Sequence, residues 1–124
     1  MAKAAQAAAS ARLLLDSNDA DGACNRAYYA MFAAARAALL VSGQGSNKTH
    51  RGVLNAFSEH LIKNGKLSKD TGRLLKLAET YRYVADYEGD SVTMDDARKM
   101  VDQAVRFIAS VRGELMPTRR DRDS

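Results

Sequence analysis

The sequence predicts an all-α protein, an up-and-down antiparallel bundle of four to five helices. Three observations carry that expectation. Apolar residues recur at helical spacing almost everywhere. The breaks between these stretches are short and polar, as antiparallel neighbours require. There is one Pro in 124 residues, too few for a loop-rich β fold. The length suits one domain with a core of its own.

The first helix spans about 3–17, built on alanines, with Leu13, Leu14 and Leu15 as its main apolar mass. The second spans about 20–42, capped by Asn18 or Asp19. Asp21 suits its positive-ended first turn, and Gly43 its C-terminal cap. Cys24, Ala27, Tyr28, Met31, Ala35, Ala38 and Leu39 form its apolar stripe. The third covers about 49–64, with Val53, Leu54, Phe57 and Leu61 on one face and Asn64-Gly65 as its stop. The fourth runs over about 68–87, facing the core with Leu74, Leu77, Ala78, Tyr81 and Ala85. Its Ser68–Thr71 start resembles a cap without the acidic partner of a capping box. Glu88-Gly89-Asp90 is a turn. The fifth opens on a Thr93–Asp96 box and presents Ala97, Met100, Val101, Ala104, Ile108, Val111 and Leu115 until Pro117 stops it. One domain over 1–117 and a disordered charged tail over 118–124 follow.

Composition narrows the function classes. A single Cys, Cys24, excludes an internal disulfide or a cysteine-built zinc site and fits a reducing compartment. The two His are scattered, so no metal set and no cofactor is expected. The first residues lack a signal peptide's apolar run, and no stretch reaches the ~18 apolar residues of a membrane span. The expectation is a soluble, cytoplasmic protein. A formal net charge of +4 permits an anionic partner, nucleic acid or acidic protein.

Three places can carry chemistry. Asn25, Arg26, Tyr29 and Phe32 lie on a different sector of the second helix from the core stripe. Arg26 there holds either a carboxylate in a structural ion pair or a ligand phosphate. On the fourth helix, Arg82 and Asp86 are four apart and can pair, as Tyr83 and Tyr87 can line one surface. Phenols beside a guanidinium suit phosphate or base contact, or else fill an aromatic core. At the start of the third helix, Lys48, His50 and Arg51 make a cationic spot that either binds an anion or is a solvated cap.

These same elements carry a resemblance. Asn25-Arg26-Ala27-Tyr28-Tyr29-Ala30-Met31-Phe32, Lys48-Thr49-His50 with Gly52-Val53, and Arg82 through Ala85-Asp86-Tyr87 resemble the stand-alone HEPN proteins, of the higher eukaryote and prokaryote nucleotide-binding domain. More narrowly, the chain is similar to the UPF0332 branch. The resemblance implies a helical bundle that forms a homodimer, encoded beside a minimal nucleotidyltransferase as a toxin–antitoxin or defence pair. It also implies, for many relatives, metal-independent ribonuclease activity from an Arg followed after four to six residues by a His. Arg82 matches the Arg, but the window beyond it holds Tyr87, Glu88 and Gly89 and no His.

The expectation is thus a nucleotide-, RNA- or partner-binding module without the usual ribonuclease His. Its binding residues are Asn25, Arg26, Tyr29, Lys48, Tyr83 and Asp86, around Arg82. One alternative is a metal-independent endoribonuclease toxin rewired around Arg82, with His50 or Tyr87 moving the proton. Another is a purely structural helical subunit. The resemblance further implies that Tyr87 is a position for adenylyl transfer by the partner.

Overall fold

The computed structural model describes residues 1–45, 49–88 and 92–115, with backbone alone for 83–88. Five α-helices follow in order: α1 Ala2–Asp16, α2 Ala20–Val41, α3 His50–Phe57, α4 Lys69–Glu88 and α5 Met94–Leu115. No strand occurs among the described residues. The expected tail, 118–124, lies outside them.

Local signals set most helix ends. Asp19 caps α2, its carboxylate accepting the Gly22 N–H at 2.9 Å. Thr49 caps α3 through the Gly52 N–H at 2.9 Å, and Thr93 caps α5 through the Asp96 N–H at 3.1 Å. Helix α2 ends in a Schellman motif. The Gln44 N–H reaches the Leu39 carbonyl at 2.7 Å, the Gly43 N–H reaches Leu40 at 3.1 Å, and Gly43 takes φ 79°. Helix α1 ends the same way with Asn18 at φ 63°, because a short amide side chain tolerates the left-handed region.

Helix α2 touches all four other helices, and its sequence explains why. Beside the expected stripe, and sharing Ala27 and Ala38 with it, runs a second one of small residues that adds Ala23, Ala30 and Ala34, all fully buried. Two adjacent stripes bury a helix on two sides. Helix α1 meets it with Ala4, Ala7, Ala11 and Leu15. Of the leucine run only Leu15 is buried in the core; Leu14 packs against it half-buried and Leu13 is 67% exposed. Three consecutive residues span 200° of a helix and cannot all face one partner.

The directions of the long helices follow from three contacts. The Val92 N–H, just before α5, donates to Asp21 at the start of α2 at 3.0 Å. Glu114 near the end of α5 meets the start of α4. Arg82 late in α4 meets Tyr28 early in α2. Helices α1, α2, α4 and α5 therefore alternate up, down, up, down, and α3 lies beside α2 and α4.

Two segments depart from expectation. The third helix is not α-helical to its end: Ser58–Ile62 is a π-helical turn, with the Lys63 N–H on the Ser58 carbonyl at 3.0 Å. Its Ile62 packs on α4 at Gly72, where an added Cβ would lie 3.1 Å from the isoleucine. Among the described side chains of α4 the buried ones are Thr71, Leu75 and Ala78; the expected Leu74 and Tyr81 pack on the core half-buried, Leu77 is 41% exposed, and the Ala85 side chain lies outside the described residues.

The acid missing from the Ser68–Thr71 cap comes from α5. Glu114 accepts the Ser68 N–H at 2.6 Å and the buried Thr71 hydroxyl at 2.7 Å. Burial opposes the charge of Glu114, but the hydrogen bonds from Thr71 and Ser68 outweigh it and hold its carboxyl below the ordinary 4.5. A depressed carboxyl contributes stability above its unfolded pKa and loses it as pH falls. Glu114→Gln is expected to cost about 1 kcal/mol at pH 7. The difference from the parent should shrink as pH drops below 4.5, read from urea midpoints across pH.

Candidate functional site

The site grows from α2. Tyr28 and Phe32 are one turn apart, so they present two rings on the same side of the helix. Against them lies His50, the first residue of α3, held there by the Thr49 cap. The His50 and Phe32 rings stack with centroids 4.0 Å apart and planes 10° apart. The Tyr28 hydroxyl is 3.4 Å from His50 Nδ1, either atom being able to donate. On the Tyr28 ring sits Arg82 from α4, its Cζ 4.6 Å from the centroid. One buried phenol, 3% exposed, thus gathers an imidazole and a guanidinium from two other helices.

Partial burial, and then the positive charge of Arg82, push the His50 pKa below 6.5. At neutral pH the imidazole is uncharged and able to accept a proton. Arg82 keeps positive charge beside that ring, and a guanidinium suits a phosphate oxygen.

From this cluster a groove of about 700 Å³ runs between α3 with its π turn and the first half of α4. Tyr28 and His50 line one end. Its floor is apolar: buried Phe57 and Leu75 with half-buried Leu54 and Ile62. Its exposed edges carry Arg51 from α3 and Lys69, Arg73, Lys76 and Glu79 from α4.

The expected site residues fall into three sets. Arg82 and His50 come together. Asn25, Arg26 and Tyr29 do not line the groove. Arg26 makes no ion pair among the described residues and instead stacks on Tyr29 at 4.7 Å. Phe32 leaves that set, because one turn from Tyr28 it reaches His50. Lys48 and the side chains of Tyr83, Asp86 and Tyr87 lie outside the described residues. Sequence reasoning missed Tyr28 as a site residue, since its spacing marks it as core. It also missed Lys69, Arg73 and Lys76, whose i, i+4, i+7 spacing was the available signal. No group of three or more metal-ligating side chains occurs among the described residues, and no helix among them is long and apolar enough to cross a membrane.

Comparison with known proteins agrees with this architecture. A family model described as HEPN domain matches residues 1–114. The chain is 37% identical over 110 residues to a UPF0332 protein of Gloeobacter violaceus, covering 87% of this chain and 86% of that one. Two proteins of Methanocaldococcus jannaschii, each named "Putative toxin", are similar as well. One is 30% identical over 105 residues, covering 85% of this chain and 78% of its own length. The other is 34% identical over 104 residues, covering 83% and 70%.

Proposed function

The chain belongs to the HEPN domain family, and on that premise we propose that it is the phosphate-binding member of a toxin–antitoxin-like pair, holding RNA or a nucleotide at the Arg82–Tyr28–His50 cluster. The observation that carries this reading is the meeting of Arg82 and His50 on one phenol. A planar guanidinium held over a buried ring is ordered before the ligand arrives, so less freedom is lost on binding. The toxin names of two relatives support the pair. Its other member is then a minimal nucleotidyltransferase, and the module works in the cytoplasm as a homodimer. Exposed Leu40 and Val41 on α2, 63% and 61% accessible, offer apolar surface for a second copy.

A second reading has its own observation. The uncharged His50 beside Arg82 is a base that the late-helix motif lacks. In the tautomer whose Nδ1–H donates to the Tyr28 oxygen, Nε2 is free to take the proton of a ribose 2′-hydroxyl as its oxygen attacks the adjacent phosphorus. The P–O5′ bond then breaks, the 5′-oxygen regains a proton from the His50 imidazolium, and Arg82 steadies the phosphorane charge. Calorimetric titration with 5′-AMP and with short single-stranded RNA in a chelator, followed by gel analysis, separates the readings. Binding with intact RNA is expected. Cleavage to 2′,3′-cyclic phosphate ends establishes the second reading instead, and folded protein that binds neither ligand overturns both.

A further inference from the structure

We infer that the groove between α3 and α4 is a docking site for an amphipathic helix of a partner protein, its apolar stripe on the groove floor and its Asp and Glu side chains against the cationic banks. Arg82 does not line the groove, so the surface stands whether or not the cluster holds a phosphate.

The two banks repeat with the period of a helix. Arg51, Asn55 and Ser58 stand along α3, and Lys69, Arg73 and Lys76 along α4. Both sets are spaced i, i+4, i+7 and all six residues are exposed. Each bank therefore presents a polar row about 10 Å long that recurs once per turn. A helix lying in the groove repeats its own side chains with the same period. Carboxylates one turn apart meet a row while the adjacent apolar stripe meets the floor.

Backbone chemistry disfavours an extended peptide. Helices α3 and α4 use their own N–H and C=O groups internally and offer no sheet edge. A strand would lay unpaired amides over Leu54, Ile62 and Leu75, and burying an amide without a hydrogen bond is costly. A helix arrives with its amides already paired. Nucleic acid fits less well for another reason. Single strands stack their bases on exposed aromatic rings, and Phe57, the ring in this floor, is 2% exposed.

Charge sets the sign of the partner. Arg51, Lys69, Arg73 and Lys76 stand around the groove against one carboxylate, Glu79. Among the described residues no acid pairs with Arg51, Lys69 or Lys76. Arg73 meets Asp70 at 3.3 Å, but the two side chains are 71% and 87% exposed. Such a pair is worth little, so Arg73 can turn to a partner's carboxylate. A lipid-like anion with a single charged head would leave most of these cations unmatched.

The test uses the whole chain and a synthetic peptide of about 14 residues, roughly 20 Å long as a helix, with leucine along one face and glutamate on both sides of it. A shuffled peptide of the same composition, its leucine face broken, is the control, and fluorescence anisotropy reads both. The striped peptide is expected to bind about tenfold more tightly than the shuffled one, the gain from one leucine side chain leaving water. Lys69→Gln, Arg73→Gln and Lys76→Gln together should weaken it about tenfold with the thermal midpoint unchanged. Leu54→Glu, which sets a carboxylate in the floor, should abolish binding. The triple variant changes exposed side chains alone, so it decides the matter if Leu54→Glu does not fold. Equal binding of the two peptides, no binding of the striped one, or parent-like binding by the triple variant overturns the docking site. A 2′-O-methyl oligoribonucleotide that displaces the striped peptide from the parent and from Arg82→Ala alike assigns the groove to nucleic acid and overturns it as well.

Discussion

Arg82→Ala is expected to weaken binding of single-stranded RNA about 10- to 100-fold at moderate salt. A charge-assisted hydrogen bond contributes about 1.5–3 kcal/mol, and 1.4 kcal/mol is tenfold. The loss should exceed that from removing any one lysine of α4, because the Tyr28 ring orients the guanidinium while a lysine ammonium swings on a flexible stem. Arg82→Lys should recover only part of it, since an ammonium cannot make the paired, planar contact. Arg82 is exposed, so the fold should survive, and the thermal midpoint checks this. Fluorescence anisotropy with labelled RNA gives the answer. An Arg82→Ala protein that binds like the parent removes the cluster from the proposed site.

Phe107→Ala should cost about 3–5 kcal/mol, the range for emptying a large core position. Phe107 is fully buried, and its ring lies 5.6 Å from that of Phe57 at a tilt of 43°. That pair joins α5 to α3, and Phe57 forms part of the groove floor. The cavity therefore opens directly behind the candidate site. For a chain of this length the midpoint of thermal unfolding should fall by about 10–20 °C, read by circular dichroism. Phe107→Leu, which keeps most of the volume, should lose much less. Equal losses in the two variants would show that the ring pair is not what holds α3 against α5.

What the sequence made legible was what neighbouring residues decide. Asp19, Gly43, Thr49 and Thr93 mark helix ends because a cap is completed within three or four residues of itself. The buried face of α5 was nearly all visible, though Phe107, seven residues after Met100, belonged on it too. The Leu13–Leu15 run marks hydrophobic mass but not direction: only Leu15 shares the buried face with the smaller alanines upstream. Ser68 and Thr71 looked half-capped because their acid stands more than forty residues away in α5. The candidate site divides along the same line. Arg82 and His50 stood out by residue type, but nothing local brings residues 28, 50 and 82 together. Tyr28 was hidden by its own burial, which is what lets it hold the other two. The π turn has no comparable local signature in Ser58–Ile62.

The methyl-lined seam where α2 lies between α1 and α5 has a consequence for inheritance. A position filled by leucine can shrink in several ways and stay folded. A position filled by Ala27, Ala30 or Ala34 can change almost only by growing, and one added branch forces two backbones apart. Variation along this seam is therefore bounded by size before polarity. Drift in this lineage should collect on α3 and on the outer side of α4, where volume is free and where ligand preference could be retuned without reopening the bundle.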